Sequence, residues 1–241
     1  MILIPLSVDS PLSHTIHFSI SPLFELAASL HVLAQPVPPR RFLPWTEEVH
    51  RLLAESLLYT DWAYFRPLFH CGIPHVFDPV QSRGVESEEE QYNYLLSLST
   101  PHVADSVQSL LKRCGPSKRE PLAAELNEDP DYVKGRLMLF LSTYRQLCLE
   151  AKWKSLAPLY LEEAERIRRA TEQLDSLLSY LKQIPAAISF DTQTSSLACQ
   201  SPGPYRKAAQ LLLCPSYFHF SPPRLEQTGT LVYVLYSMAD R

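Results

Sequence analysis

The sequence predicts an α+β fold, mainly helical, with a small sheet formed by N-terminal and C-terminal strands. Three observations predict it. Apolar residues alternate at the N-terminus, where Ile2, Ile4, Leu6 and Val8 share one face, the period of a half-buried strand. From Ser21 to Pro185 apolar residues recur at helical spacing between prolines, the pattern of amphipathic helices. Beyond Pro185 strand-like runs return, as in Leu231-Val232-Tyr233-Val234-Leu235-Tyr236. Terminal strands meeting in one sheet, with helices packed on it, accommodate all three. The expected organisation is a single α+β domain over 1–241, with strands in 1–20, a helical body in 21–185 and C-terminal strands in 186–241. A chain of 241 residues buries roughly 70% of its unfolded surface, enough for a real core.

Each element has a local reason. Asp9-Ser10-Pro11 breaks the first run, and Ile16, Phe18 and Ile20 resume the alternation; two strands follow, with a hairpin as one arrangement. Ser21 can cap a helix opened by Pro22, with Glu25 in its positive first turn. Leu23, Leu26, Ala27, Leu30 and Leu33 form its apolar face, and Pro36, Pro38 and Pro39 end it because proline cannot continue a helix. Thr46 caps a second helix, whose stripe is Val49, Leu52, Leu53 and Leu57. Ser87 followed by Glu88, Glu89 and Glu90 reads as a helix start, since acidic residues complement the helix dipole there. Helices are expected to continue over Gln91–Ser99 and over Pro101–Arg113, with a loop at 114–121 around Gly115-Pro116-Ser117.

A long periodic helix is expected over Asp131–Trp153, through Val133, Leu137, Phe140, Leu141, Tyr144 and Leu147. Another runs from about Leu156 to Leu181, where Ile167, Ala170, Leu174, Leu177, Leu181 and Ile184 keep heptad-like spacing. The pattern is too short to argue a coiled coil; a packed core helix is the first reading and a homodimer contact the second. Ile188-Ser189-Phe190 looks like a strand, Thr192–Tyr205 like a polar loop, and Gln210–Cys214 and Leu231–Tyr236 like strands. The last is apolar on both faces and so expected to be central.

Composition narrows the function. The chain has 6 glycines and 21 prolines, against average usage of about 7% and about 5%. The glycines are isolated from one another, and neither G-x-G-x-x-G nor G-x-x-x-x-G-K-[ST] occurs, which excludes the usual phosphate-cradling loops. The nucleophile elbow G-x-S-x-G is absent as well. Pro22, Pro36, Pro44, Pro101, Pro158 and Pro185 fall at expected helix boundaries, so the imbalance describes a helical scaffold with stiff corners. A formal net charge of -4 argues against nucleic-acid binding by this chain, which calls for a basic surface. The 5 cysteines are scattered without C-x-x-C and read as reduced thiols of a cytoplasmic protein. Neither a signal peptide nor an apolar run of about 18 residues is present.

Local constellations offer little chemistry. Tyr59, Trp62, Tyr64, Phe65 and Phe69 are concentrated in one segment. Aromatics dominate cores, so core is the first reading; an apolar pocket is the second, provided Arg66, Asp61 or His70 points into it. Leu122–Leu137 has the apolar spacing of a helix-turn-helix, yet Glu125, Glu128, Asp129 and Asp131 would face phosphates, so a structural helical corner is preferred. His70, Cys71 and His75 are the densest set of metal-ligand types, but zinc wants a fourth ligand that cannot be named. Glu162, Glu163 and Glu165, and the basic Arg166, Arg168 and Arg169, read as solvated helix faces.

The order of short motifs resembles a family of ArsR-like winged-helix transcriptional regulators. Ser21-Pro22-Leu23-Phe24-Glu25-Leu26-Ala27-Ala28-Ser29-Leu30 is similar to that family's S-P-L-W-E-x-x-x-S-L opening, and Phe42-Leu43-Pro44-Trp45 to its L-P-W element. Asp129-Pro130 with Val133, Arg136-Leu137, Tyr144 and Trp153 resembles its D-P-x-x-V-x-x-R-L helix. Leu211-Leu212-Leu213-Cys214-Pro215-Ser216-Tyr217-Phe218 resembles its apolar strand with a P-S-x-F end. The resemblance implies a long N-terminal region placed before a winged helix, which would begin about where this chain stops at Arg241. DNA contact is therefore carried over to no residue here, and neither are the metal sites of some ArsR proteins.

The expected function is a non-enzymatic effector-sensing and dimerisation module of such a regulator, cytoplasmic, with DNA bound only through the winged helix absent from this chain. Pocket candidates are Trp45, Tyr59, Trp62, Phe65, Arg66 and Phe69. Candidate contacts of a homodimer are Ile167, Leu174 and Leu181, or the terminal sheet. No catalytic residue, metal, cofactor or membrane contact is assigned. The alternatives are a stand-alone small-molecule-binding protein with an aromatic helical pocket and, third, a cryptic hydrolase.

Overall fold

The computed structural model describes residues 1–7, 10–81, 87–114, 120–184, 188–201 and 204–238. The turn expected at Asp9, the loop at 115–119, Gly84, Gly203 and Pro185 lie outside them. The fold is α+β, helices dominating. Where the sequence predicts one domain, the chain divides into two compact units, Ser21–Lys154 and Met1–Ile20 with Ser155–Arg241; they are called here the helical unit and the sheet unit.

The helical unit is built around α1 (Pro22–Ala34). Ser21 caps it by accepting from the Phe24 N–H, and Pro22 occupies its first turn. The sequence predicts one apolar face, but nearly every residue from Leu23 to Ala34 is buried, Glu25 and Ser29 included. A helix buried all round is central: α1 lies against α3 (Tyr59–Cys71) and α4 (Glu88–Ser97). Ser29 Oγ donates to the Leu26 carbonyl and lies 3.0 Å from the Tyr144 hydroxyl, so its polar group is satisfied inside the core. The second helix, α2 (Leu43–Ala54), starts before Thr46, with Pro44 in its first turn. Thr46 is therefore no cap; its hydroxyl donates back to the Leu43 carbonyl. Leu57 lies beyond the helix end and is fully exposed, so it leaves the expected stripe.

Ser87 and Glu90 form a capping box at α4, each side chain accepting from the other's backbone N–H and so satisfying two otherwise orphaned donors. The next helices are α5 (Thr100–Lys112), α6 (Glu120–Glu128) and α7 (Pro130–Tyr144). The segment with helix-turn-helix spacing is a corner in which Asp129 caps α7 by accepting from Tyr132 N–H. Leu122, Leu126, Val133 and Leu137 are its buried side. The expected single helix over Asp131–Trp153 is interrupted: Arg145–Leu149 is a π turn, and α8 (Glu150–Ala170) continues from it. Pro67 and Pro158 sit inside α3 and α8, so Pro158 marks no boundary.

The sheet unit holds two four-stranded sheets where the sequence predicts one. The first has the order β3 (Ile188–Asp191), β4 (Ser196–Cys199), β1 (Ile2–Pro5), β5 (Arg206–Lys207). The second has the order β2 (Ile16–Phe18), β6 (Gln210–Ser216), β8 (Leu231–Ser237), β7 (Arg224–Thr228). β1 and β2 belong to different sheets and form no hairpin, because β1 is already flanked by β4 and β5. β2 runs parallel to β6, and β6 parallel to β8, with β7 antiparallel at the edge. β8 is buried over Leu231–Tyr236 and central, as its two apolar faces predict.

The helix expected over Leu156–Leu181 is two helices, because the chain turns extended at Gln173 before α9 (Leu174–Leu181). Ile167 and Leu181 are buried with Leu177, Tyr180, Leu197, Leu211 and Val232 in one core, and Leu174 packs against it. These proposed dimer contacts are thus occupied by the chain's own sheets. Glu163, expected on a solvated face, is also buried. Its Oε1 accepts from the Tyr180 hydroxyl at 2.6 Å and from Tyr236 at 3.3 Å, and its Oε2 pairs with Arg166 at 3.0 Å.

Candidate functional site

Most of the predicted pocket residues turn out to be core. Trp62, Phe65 and Phe69 are buried on α3. The Trp62 and Phe65 rings lie 6.4 and 5.4 Å from Phe140 of α7, which stacks on Tyr144 at 6.0 Å. Trp45 is buried on α2, and Tyr59 is 57% exposed. The Trp62 and Phe65 rings therefore pack as core against α7, where aromatic pairs gain from offset and tilted contacts. Asp61 is held by Arg136 at 2.7 Å, and the Arg136 guanidinium lies 3.9 Å over the Tyr64 ring, whose hydroxyl donates to Glu125.

Of the candidates, Arg66 lines a concavity of about 460 Å³, with His70, Ala34, Ala63, Pro36, Pro67 and Pro121. It sits where α1 and α3 end, and each helix satisfies a terminal carbonyl of the other. His31 Nδ1–H donates to the Phe69 carbonyl at 2.6 Å, and His70 Nδ1 lies 3.3 Å from the Ala34 carbonyl. Late carbonyls of a helix lack intrahelical donors, so these contacts fix the rim. The space itself is an open surface hollow walled by proline and alanine with Arg66 and His70.

A second site lies beside the π turn, and sequence reasoning missed it. Pro22, Leu23 and Leu26 of α1, Glu88 and Tyr92 of α4, and Arg145, Leu149, Glu150 and Trp153 line a slot of about 340 Å³ including its open mouth. Its walls are close, leaving the centre of a water molecule about 10 Å³ in which to move. Arg145 Nη1 donates to Glu88 Oε1 at 2.7 Å, and its guanidinium lies 5.1 Å over the Tyr92 ring. The Tyr92 hydroxyl donates to the Met138 carbonyl at 3.1 Å, which fixes that ring. Glu150 is paired with Lys154 at 2.9 Å, and this lowers the pKa of its carboxyl. Against these satisfied groups stands one exception: Arg145 Nε is buried and has no hydrogen-bond partner. π turns are rare and concentrate at functional sites, and a buried donor left unpaired costs about 1–3 kcal/mol.

The remaining candidates are structural. Cys71 and Cys114 form a disulfide with a Cα–Cα distance of 5.9 Å, correcting the expectation that all thiols are reduced. Cys148, Cys199 and Cys214 are free and buried. Burial pushes the thiols of Cys148 and Cys199 up to about 12, away from the thiolate a nucleophile needs. With Cys71 bonded and the His75 ring edge-on to His102 at 5.7 Å, the suspected ligand cluster is dispersed. Among the described residues no group of three or more His, Cys, Asp or Glu is placed to hold a metal ion. Arg168 and Arg169 pair with Glu165, each at 2.8 Å, so the basic patch is neutralised locally. No helix among the described residues is long and apolar enough to cross a membrane.

No family model matches the chain, and neither a curated protein nor a solved structure matches it.

Proposed function

We propose that this chain is the non-enzymatic effector-sensing module of an ArsR-like transcriptional regulator, that its effector binds in the slot beside the π turn, and that DNA is read by a winged helix outside residues 1–241. The observation that carries the reading is the buried, unpartnered Arg145 Nε beside a slot whose other charged groups, Glu88 and Glu150, are ion-paired. The order of family-like motifs supplies the regulator, and two of those motifs contribute walls: Pro22, Leu23 and Leu26 from the first, Trp153 from the third. The raised thiols and the acidic balance favour neither a hydrolase nor a DNA reader. Homodimerisation belongs to this reading through surfaces other than the buried Ile167 and Leu181.

The π turn is the two-state element. Its i→i+5 bonding holds an extra residue in the turn, so its two forms would be the π turn and a regular α turn over Arg145–Leu149. A ligand that fits one form better shifts the population of both. The test is a thermal-shift screen of small aromatic and aliphatic compounds against residues 1–241, since a compound that binds only the native state raises Tm. A hit is expected, and Leu26→Trp, which fills the slot, is expected to abolish it. A screen without any shift would remove the sensor reading. Retention of a DNA duplex by this chain at physiological salt would remove the assignment of DNA reading to another domain.

A further inference from the structure

We infer that the hollow where α1 and α3 end is a second binding site of the helical unit, and that it takes a small amphiphilic carboxylate anchored on the Arg66 guanidinium. The inference goes beyond the slot reading and does not depend on it. Leu26 of the slot and Ala34 of the hollow are separated by about 12 Å of helix rise along α1. Room is the first argument. About 460 Å³ lies open among Pro36, Pro67, Pro121, Ala34 and Ala63, within the range of about 300–1,000 Å³ that small-molecule sites occupy. These walls offer methyl groups and pyrrolidine rings, so they suit a ligand with an apolar body. Proline and alanine have no side-chain rotamers to freeze, so packing a ligand against them carries little entropic penalty. The condition that the sequence sets for a pocket, Arg66 or His70 in its wall, is met at this hollow.

Charge is the second argument. Among the described residues, the polar side chains lining the hollow are Arg66 and His70, with no carboxylate. Arg51, Arg136, Arg145, Arg168 and Arg169 each hold an acid, whereas no described acid pairs with Arg66. The Arg66 charge acts instead on a base: after burial, it is what lowers the pKa of His50 on α2. A guanidinium presents donors in a fixed planar fork that matches a carboxylate, and such charge-assisted bonds are roughly twice as strong as neutral ones. The same corner limits the ligand to one charge. Helix C-termini carry partial negative charge, and two of them meet here. His31 and His70 engage the Phe69 and Ala34 carbonyls, so these do not compete for Arg66, but the dipoles remain. A carboxylate is therefore favoured over a phosphate ester, which carries about two charges. The rim is also held in advance, by those two contacts and by the bond from Cys71 to Cys114, and a preorganised site loses less on binding.

The experiment is isothermal titration of the chain with octanoate, octanamide and acetate. Octanoate is expected to bind at least tenfold more tightly than either, since the amide lacks the charge and acetate the apolar body. Arg66→Met is expected to bring octanoate down to the affinity of the amide. Ala63→Trp, which fills the hollow from an exposed position of α3, is expected to abolish binding of both. Leu26→Trp, which fills the slot, is expected to change neither. Equal binding of acid and amide by the wild-type chain would overturn the carboxylate anchor. Octanoate binding that keeps its strength in Arg66→Met, or that Leu26→Trp removes, would overturn the assignment to this hollow. Absence of octanoate binding at millimolar concentration would overturn the inference and leave the slot reading to its own screen. Should Ala63→Trp fail to fold, Arg66→Met still decides, because Arg66 is exposed.

Discussion

Single residues show where physical chemistry outruns sequence. His31 looks like any helical histidine, yet it is half-buried and its Nδ1–H is committed to the Phe69 carbonyl. Burial lowers its pKa below 6.5, and the neighbouring His70 lowers it further, against the raising effect of that hydrogen bond. The unfolded chain therefore takes up a proton near pH 6.5 that the folded chain refuses. His31 thus leaves stability at its full value above about pH 6.5, and stability falls as the pH drops through the lower folded value. His50, partly buried and beside Arg66, shifts in the same direction. The depressed carboxyls of Glu150, Glu165 and Asp191 titrate well below this window. Urea midpoints should accordingly drop between pH 7.5 and pH 5.5, and His31→Gln should flatten that drop. An unchanged slope in the variant would show that His31 is not the group responsible.

Among elements, long periodic ones were legible in the sequence and short or irregular ones were not. The helix start at Ser87, the cap at Ser21 and the central strand β8 follow from residue types that satisfy helix ends or fill both faces of a strand. β4 was hidden inside an expected polar loop because Ser196, Ala198 and Cys199 are small and give no alternation. It is nonetheless buried throughout and pairs with both β1 and β3. The π turn was equally hidden. Tyr144 and Leu149 are buried at the spacing of a π turn, but Cys148 is buried too, so the run also fits an uninterrupted α-helix. The slot was missed with it, since Arg145 is distant in sequence from Glu88 and Tyr92, which it meets only in the folded chain. The weight of β4 can be measured. Leu197 is 0% exposed in the sheet-unit core, and Leu→Ala at such sites costs about 2–5 kcal/mol. Leu197→Ala should therefore lower the urea midpoint strongly, whereas Ala in place of the exposed Leu161 on α8 should change it little; equal effects would contradict the placement of β4.

For the whole molecule, the division into a helical and a sheet unit is itself testable, because the disulfide belongs to one of them. Cys71 ends α3 and Cys114 follows α5, so the bond links two helices of Ser21–Lys154 across a sequence separation of 43. Closing a loop of that length restricts the unfolded chain, a contribution of about 2–4 kcal/mol. It adds to the packing of α3 against α5 and holds the end of α3 beside the Arg66–His70 hollow. Reduction, or Cys71→Ser with Cys114→Ser, should accelerate hydrogen exchange of the α3 and α5 amides. Strands β6 and β8, whose ladder lies wholly in the sheet unit, should keep their protection, because local stability need not be uniform across a fold. Equal loss in helices and strands would mean that the units unfold as one. No loss anywhere would mean that the two sulfurs are not bonded in solution, and would restore the reduced-thiol expectation that the composition alone suggests.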